Sequence, residues 1–368
     1  NLFDIQSEIA KSIAAALKAT LTDTELADVS DVPTDNVAAY DLYLRSKRFL
    51  QNETHQDYRA SIELLTEALL LDPGFKQAWT GLAVAHMTNY WVYGGDRKNL
   101  ELALDAIEKA RQIDNDFAEL FVAEGIYWYW GFLDYERALY KLDKAIQMMS
   151  GNSQAHMWRG WVSRRAGLWE QALESMQVSL KLNPRVHFNW HEYATTLQYL
   201  HDYAGARHAA RQSLDIDPDS FWGKSTLANI LIQESGDLEK ALPLTIGLQY
   251  SDDFEFFRTY FNTRLMTRRL DEALAVARDL SADQEIQRNR IILTEALSAE
   301  VLHFMGRQDE ARKAADAALF RLKRLQSNLG RDDRMDIAEA MLLAVKGDAR
   351  EEIRALLNKS MASDPGDE

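Results

Sequence analysis

The chain has 368 residues, of which 46% are hydrophobic, and a formal net charge of −15. A nucleic-acid-binding surface requires a basic face, and no lysine- or arginine-rich block occurs, so direct nucleic acid binding by this segment is not expected; adsorption to an anionic membrane is disfavoured on the same ground. Cysteine is absent, which excludes disulfides, thiolate metal sites and a cysteine nucleophile.

Residues 1–22 read as an amphipathic helix, with Leu2, Ile5, Ile9, Ile13 and Leu17 at helical spacing. Residues 23–36 are polar and acidic, contain Pro33, and read as a linker; Asp35 or Asn36 is placed to cap the helix that follows. From residue 37 to 368 the chain is helical material. It holds only 6 prolines and 17 glycines, and no stretch approaches the roughly 18 apolar residues that a bilayer-crossing helix needs. The chain opens on Asn1 without a leader-like segment and is expected to be part of something longer.

Within 37–368 one phrase recurs, an alanine near the start of every second helix: Ala60, Ala103, Ala138, Ala172, Ala206, Ala241, Ala273 and Ala311. Successive gaps are 43, 35, 34, 34, 35, 32 and 38 residues. The unit around Gly160 shows the logic. Gly160 lies in a first helix, Ala172 opens the second, Ser179 follows, and Pro184 stops it. Small residues at these places let two antiparallel helices approach closely, while Met176, Trp190 and Leu197 fill the spaces around them. Gly167, Gly236 and Gly306 fall where first helices end, and a left-handed cap is expected at each. One unit, 76–116, has a longer turn at 87–99, and Gly94-Gly95 are expected to form a protruding loop there.

This period and residue set resemble the tetratricopeptide repeat over roughly residues 37–360. The resemblance implies an all-α fold: a right-handed superhelical solenoid of about eight to nine helix pairs with an extra N-terminal helix. A narrower resemblance covers the first 50 or so residues. "LFDIQSEIAKSIAAAL" followed by "PTDNVAAYDLYLRSK" is similar to the junction between a TolB-like segment and tetratricopeptide repeats in large bacterial signalling proteins. Those proteins carry an adenylate cyclase or a winged-helix transcriptional activator upstream. On that reading residues 1–22 are the last helix of an upstream domain; otherwise they cap the solenoid.

The sequence holds no phosphate loop, no dinucleotide fingerprint, no nucleophile elbow and no HExxH motif. No enzymatic activity and no cofactor are expected. His187 and His191 stand four apart, as two metal ligands would on one helix, but no third ligand is evident, and Glu192 is expected to point elsewhere. Arg164 and Arg165 are adjacent; a clamp for a carboxylate or phosphate and ordinary pairing with neighbouring acids both stay open, the second favoured for Arg165.

The tetratricopeptide resemblance further implies that first helices line a concave groove. The inward positions carry Val122, Ile126 and Tyr129; Gln154, Met157, Trp161 and Arg164; Phe188, His191, Thr195 and Gln198; Trp222, Ser225, Asn229 and Ile232; and Glu255, Arg258, Asn262 and Leu265. From these, Tyr129, Trp161, Arg164, His191, Gln198, Trp222, Asn229, Arg258 and Asn262 form the candidate peptide-binding set, since aromatic and arginine anchors dominate binding energy. Trp190 is expected in the core, and Trp128, Trp130, Trp158 and Trp169 between helices. The family's clamp for a peptide carboxylate is echoed only by Asn229, Arg258 and Asn262, which puts such a ligand in doubt. The expected role is a protein-interaction module in the cytoplasm, or in the periplasm if a membrane helix precedes it. Self-association is left open, as are a cyclase sensor and a transcription-regulator segment.

Overall fold

Helix-favouring residues between recurrent stop signals fold as the period requires. The computed structural model describes residues 33–49, 55–92, 97–248, 254–279, 286–287, 290–291, 293–329, 333–347 and 350–363, with 8, 9 and 12. The helix expected at 1–22 and the linker as far as residue 32 lie outside these, apart from helical Glu8, Ile9 and Ser12.

Eighteen helices among the described residues form nine antiparallel pairs. The first four pairs are α1 (Val37–Phe49) with α2 (His55–Leu71), α3 (Lys76–Val92) with α4 (Arg97–Ile113), α5 (Ala118–Phe132) with α6 (Tyr135–Met148), and α7 (Ser153–Arg165) with α8 (Trp169–Leu182). Next come α9 (His187–Tyr199) with α10 (Tyr203–Ile216), α11 (Phe221–Ser235) with α12 (Leu238–Leu244), and α13 (Phe254–Met266) with α14 (Leu270–Arg278). The last two are α15 (Thr294–Phe304) with α16 (Gln308–Leu329) and α17 (Asp333–Lys346) with α18 (Arg350–Ser363). A two-residue antiparallel bridge, β1 (Ile286–Gln287) to β2 (Arg290–Ile291), precedes α15. Each first helix packs on its own second helix, and α3 on α5, α5 on α7, α9 on α11 and α11 on α13. The architecture is therefore an all-helical solenoid.

The turn inside each pair uses a repeated device. First helices end on a left-handed residue: Leu133, Gly167, His201, Gly236, Arg268 and Gly306 all have φ between 55° and 77°. The three glycines are those expected. The other three positions hold side chains that tolerate the conformation less well, so sequence gave no signal there. In three turns an aspartate follows at once and caps the second helix: Asp134, Asp202 and Asp237 accept from the backbone N–H three residues on, at 3.0–3.1 Å. A cap of this kind contributes about 1 kcal/mol. Asn36 caps α1 in the same way, accepting from Ala38 and Ala39 at 3.1 Å, and its amide also donates to the Leu71 carbonyl.

The crossing residues behave as spacers. A Cβ built on Gly160 would stand 2.6 Å from Met176 Cγ and 3.2 Å from the Ala172 carbonyl oxygen; on Gly125 it would meet Leu142 Cγ at 2.8 Å. Ala103, Ala138, Ala172, Ala206, Ala241, Ala273 and Ala311 are all fully buried. The first member of the series is corrected: Ala60 is half-buried, and Ser61, one place on, holds the buried position. Leu65 and Ala68 against Ile107 and Ala110 keep the same offset. That displacement explains why the first gap looked a residue too long.

The long turn is also corrected. Residues 87–92 and 97–99 are helical, so the extra length of the second pair goes into α3 and α4, which have 17 residues each. Asn99 Oδ1 holds the two extensions together, meeting His86 Nδ1 at 3.0 Å and accepting from the Asn89 amide at 3.3 Å. Gly94-Gly95 lie outside the described residues. Trp190 is half-buried rather than fully core, because its indole N–H reaches back to the Pro184 carbonyl at 2.8 Å; Trp79 does the same to Pro73 at 2.9 Å. Trp130 and Trp158 are buried, and Trp128 and Trp169 half-buried.

Candidate binding groove

The first helices bring aromatic rings from six successive pairs into one continuous row. Trp91 of α3 stacks on Trp130 of α5 at 5.8 Å. Trp130 meets Trp158 edge-on at 4.7 Å, and Trp158 meets Trp161 at 4.3 Å. The row continues through Phe188 at 5.7 Å, Trp222 at 5.5 Å and Phe256 at 4.5 Å. Each contact contributes about 1 kcal/mol beyond area burial. Edge-to-face packing leaves Trp161, Phe188 and Trp222 half-buried on the first-helix face, while Trp130, Trp158 and Phe256 are buried.

Polar side chains run beside the rings and tie one pair to the next. Arg164 donates to Glu192 Oε2 at 2.7 Å and to Thr196 Oγ1 at 3.0 Å. His191 Nδ1 lies 2.6 Å from Thr226 Oγ1, and its Nε2 is 3.6 Å from Glu192 Oε1. Ser225 Oγ meets Thr259 Oγ1 at 2.8 Å, and the Asn229 amide donates to the same hydroxyl at 3.2 Å. Gln198 donates to Gln233 Oε1 at 2.9 Å. His191–Thr226, Gln198–Gln233 and Ser225–Thr259 are separated by 35, 35 and 34 residues, one repeat each. Pairing polar residues at the repeat interval would have found these bonds in the sequence.

Burial sets the charge states. Burial lowers the His191 pKa to about 4, so the imidazole is neutral near pH 7; the Glu192 carboxylate opposes the shift and Arg164 adds to it. Burial works against the Glu192 carboxylate, but the Arg164 guanidinium, held by both charge and hydrogen bond, keeps its pKa below the ordinary value. Burial raises the Tyr129 phenol, with Arg165 and Arg164 acting in the other direction.

The nine predicted residues therefore divide. Arg258 and Asn262 are exposed; Trp161, Trp222, Gln198, Asn229 and Arg164 are partly buried; Tyr129 and His191 are buried. Val122, Ile126 and Met157, expected to line the groove, are buried as well, so the face is closed where α5 meets α7. Of the two arginine readings, Arg164 takes the pairing one, through Glu192. Arg165 is exposed and hydrogen-bonded to Tyr129. Glu192, expected to point away from His191, sits beside it. His187 turns to Ser220 Oγ at 3.1 Å and Asp217 at 3.9 Å, a different set of partners. No group of three or more histidine or carboxylate side chains among the described residues is arranged to hold a metal, and no helix among them is long and apolar enough to cross a membrane.

Comparison with known proteins bears on the fold. Residues 53–116 match the family profile of the tetratricopeptide repeat. No curated protein matches the sequence. Among solved structures, the chain is similar to the human IFIT1 dimer with m7Gppp-AAAA, at 12% identity over 97% of this chain and 76% of that one, with a TM-score of 0.57. It is similar to yeast Tom70 at 14% identity over 90% of this chain and 67% of that one, with a TM-score of 0.56. Pseudomonas aeruginosa pilF matches 58% of this chain and 91% of its own at 21% identity and a TM-score of 0.41. At such identities the likeness is one of fold. Residues 53–116 are a recognised tetratricopeptide repeat, and the chain as a whole folds as a tetratricopeptide-type solenoid.

Proposed function

We propose that the chain is a non-catalytic interaction module that holds an extended or helical segment of a partner protein on its first-helix face. The observation that carries this reading is the aromatic row, which leaves the half-buried rings of Trp161, Phe188 and Trp222 partly accessible between flanking polar groups. A soluble face with no partner seldom displays three large rings in series, and such rings are the residues that anchor interfaces. Because Arg164, Glu192 and His191 satisfy one another, the centre of the face offers rings rather than charge, beside the exposed side chains of Arg258 and Asn262. The junction resemblance supports a parent signalling protein in which this module is regulatory.

A photo-crosslinking residue at Asn262, on the first-helix face, tests this against one at Tyr140, on a second helix. Crosslinks to a distinct protein are expected from position 262 and not from 140. The captured protein, once purified, should bind Trp161→Ala/Arg258→Ala at least about tenfold more weakly, near 1.4 kcal/mol, with helical circular dichroism unchanged. Equal capture at the two positions, or unchanged affinity, removes the assignment.

A further inference from the structure

The first-helix face continues past the aromatic row. Trp161, Thr195 and Asn262 each stand six residues before the left-handed residue that ends their helix, Gly167, His201 and Arg268. By the same count Glu300 before Gly306 and Met341 before Gly347 take this place in α15 and α17, and Ile337 lies one turn ahead of Met341. Since α15 packs on α17, the face runs from Asn262 through Glu300 to Ile337 and Met341.

Glu300 is half-buried, and among the described residues it has no hydrogen bond, ion pair or charged neighbour. Glu124, Glu192 and Asp336 are buried or half-buried too, but each holds a cation: Arg111 with Lys141, Arg164, and Lys359. Withdrawing a carboxylate from water without a counter-charge is costly, and burial accordingly raises the Glu300 pKa. On the adjoining α17, Ile337 and Met341 are 46% and 52% exposed. One carboxylate is too few ligands for a metal ion. An uncompensated anion next to two exposed apolar side chains is complementary to a cation carried on an aliphatic stem, as in lysine and arginine.

We propose that the C-terminal end of the first-helix face seats a lysine or arginine side chain of the partner segment, its stem against Ile337 and Met341 and its cation at Glu300. This subsite rests on the groove reading and gives the partner's chemistry: a basic residue beyond the part that meets the aromatic row.

The probe is N-butylguanidinium, titrated at low ionic strength into the whole chain labelled with 13C-methyl methionine, the Met341 signal being the one lost in Met341→Leu. That signal should shift saturably with a Kd of about 10 mM, in keeping with so small a ligand. Glu300→Gln should weaken the response at least about fivefold, and butan-1-ol, which keeps the stem without the charge, should give no saturable shift. Glu351→Gln/Glu352→Gln removes two exposed carboxylates of α18 off this face and should bind as the parent chain does. Glu300→Gln should also unfold at the same or a higher temperature, because it removes an uncompensated charge. The proposal is overturned by the absence of a saturable shift up to about 100 mM probe, by an equal response in Glu300→Gln or to butan-1-ol, by an equal loss in the α18 pair, or by a lower unfolding temperature in Glu300→Gln. No partner protein takes part in this titration, so crosslinking at Asn262 without a butylguanidinium response removes the subsite alone and leaves the groove reading standing.

Discussion

Ser61 shows how much one side chain can settle. Seven of the eight repeat units have a fully buried alanine at this place, and Ser61 puts a hydroxyl there with no hydrogen-bond partner among the described residues. Replacing it with the alanine of its equivalents removes an unsatisfied polar atom without opening a void. Ser61→Ala should therefore raise the unfolding free energy by about 1 kcal/mol, read from urea titration; a loss of stability would mean that the hydroxyl is satisfied in solution. The same residue marks a limit of sequence reading. A string of alanines at near-constant spacing identified the units, yet in the first unit the nearest alanine, Ala60, was one place out of register, because burial there fell to a serine. Left-handed caps divide similarly. Glycine announces them at 167, 236 and 306, whereas Leu133, His201 and Arg268 adopt the same backbone with no compositional sign.

Among the helices, α7, α9 and α11 are linked by Arg164, Glu192, His191 and Thr226. The His191–Thr226 contact spans one repeat and could be read by pairing polar residues at that interval, whereas Arg164–Glu192, 28 residues apart, could not, because it depends on which neighbour each side chain reaches. The link has a pH signature. His191 is held near pKa 4 in the folded chain against an ordinary 6.5, so the unfolded chain takes up its proton first as pH falls. Stability should decline from about pH 6.5 to about pH 4, by about 3 kcal/mol from this group, and level off below. Glu192 acts in a separate window: its lowered pKa stabilises the fold above the ordinary carboxylate value of 4.5, and that contribution is lost as pH falls further. His191→Gln should flatten the slope between pH 6.5 and 4 in pH-dependent urea unfolding. Some slope will persist, since burial also lowers His86 and His187. An undiminished slope would show that His191 titrates freely.

Across the whole molecule the core is uneven. One cluster of buried side chains runs from Ala39 to Val162 through the first four pairs, while later pairs contribute smaller, separate clusters. The sixth pair is the thinnest: α12 has seven residues and contains Pro243. In a stack where each pair leans only on its neighbours, local opening follows the weaker interfaces. Native-state hydrogen exchange should find the slowest amides in α3, α5 and α7 and faster ones from α12 onward; uniform protection would contradict this. The periodicity in the sequence showed that pairs stack, but not where the stack is strong, because that depends on ring-to-ring packing across units. The second pair adds a separate lesson. Its surplus residues went equally into α3 and α4, so both arms of the hairpin lengthened together and the contacts with adjoining units kept their alignment. Such a chain can grow sideways, like a rib extended at its tip, without disturbing the spine, and new surface can arise in one unit while the others stay unaltered.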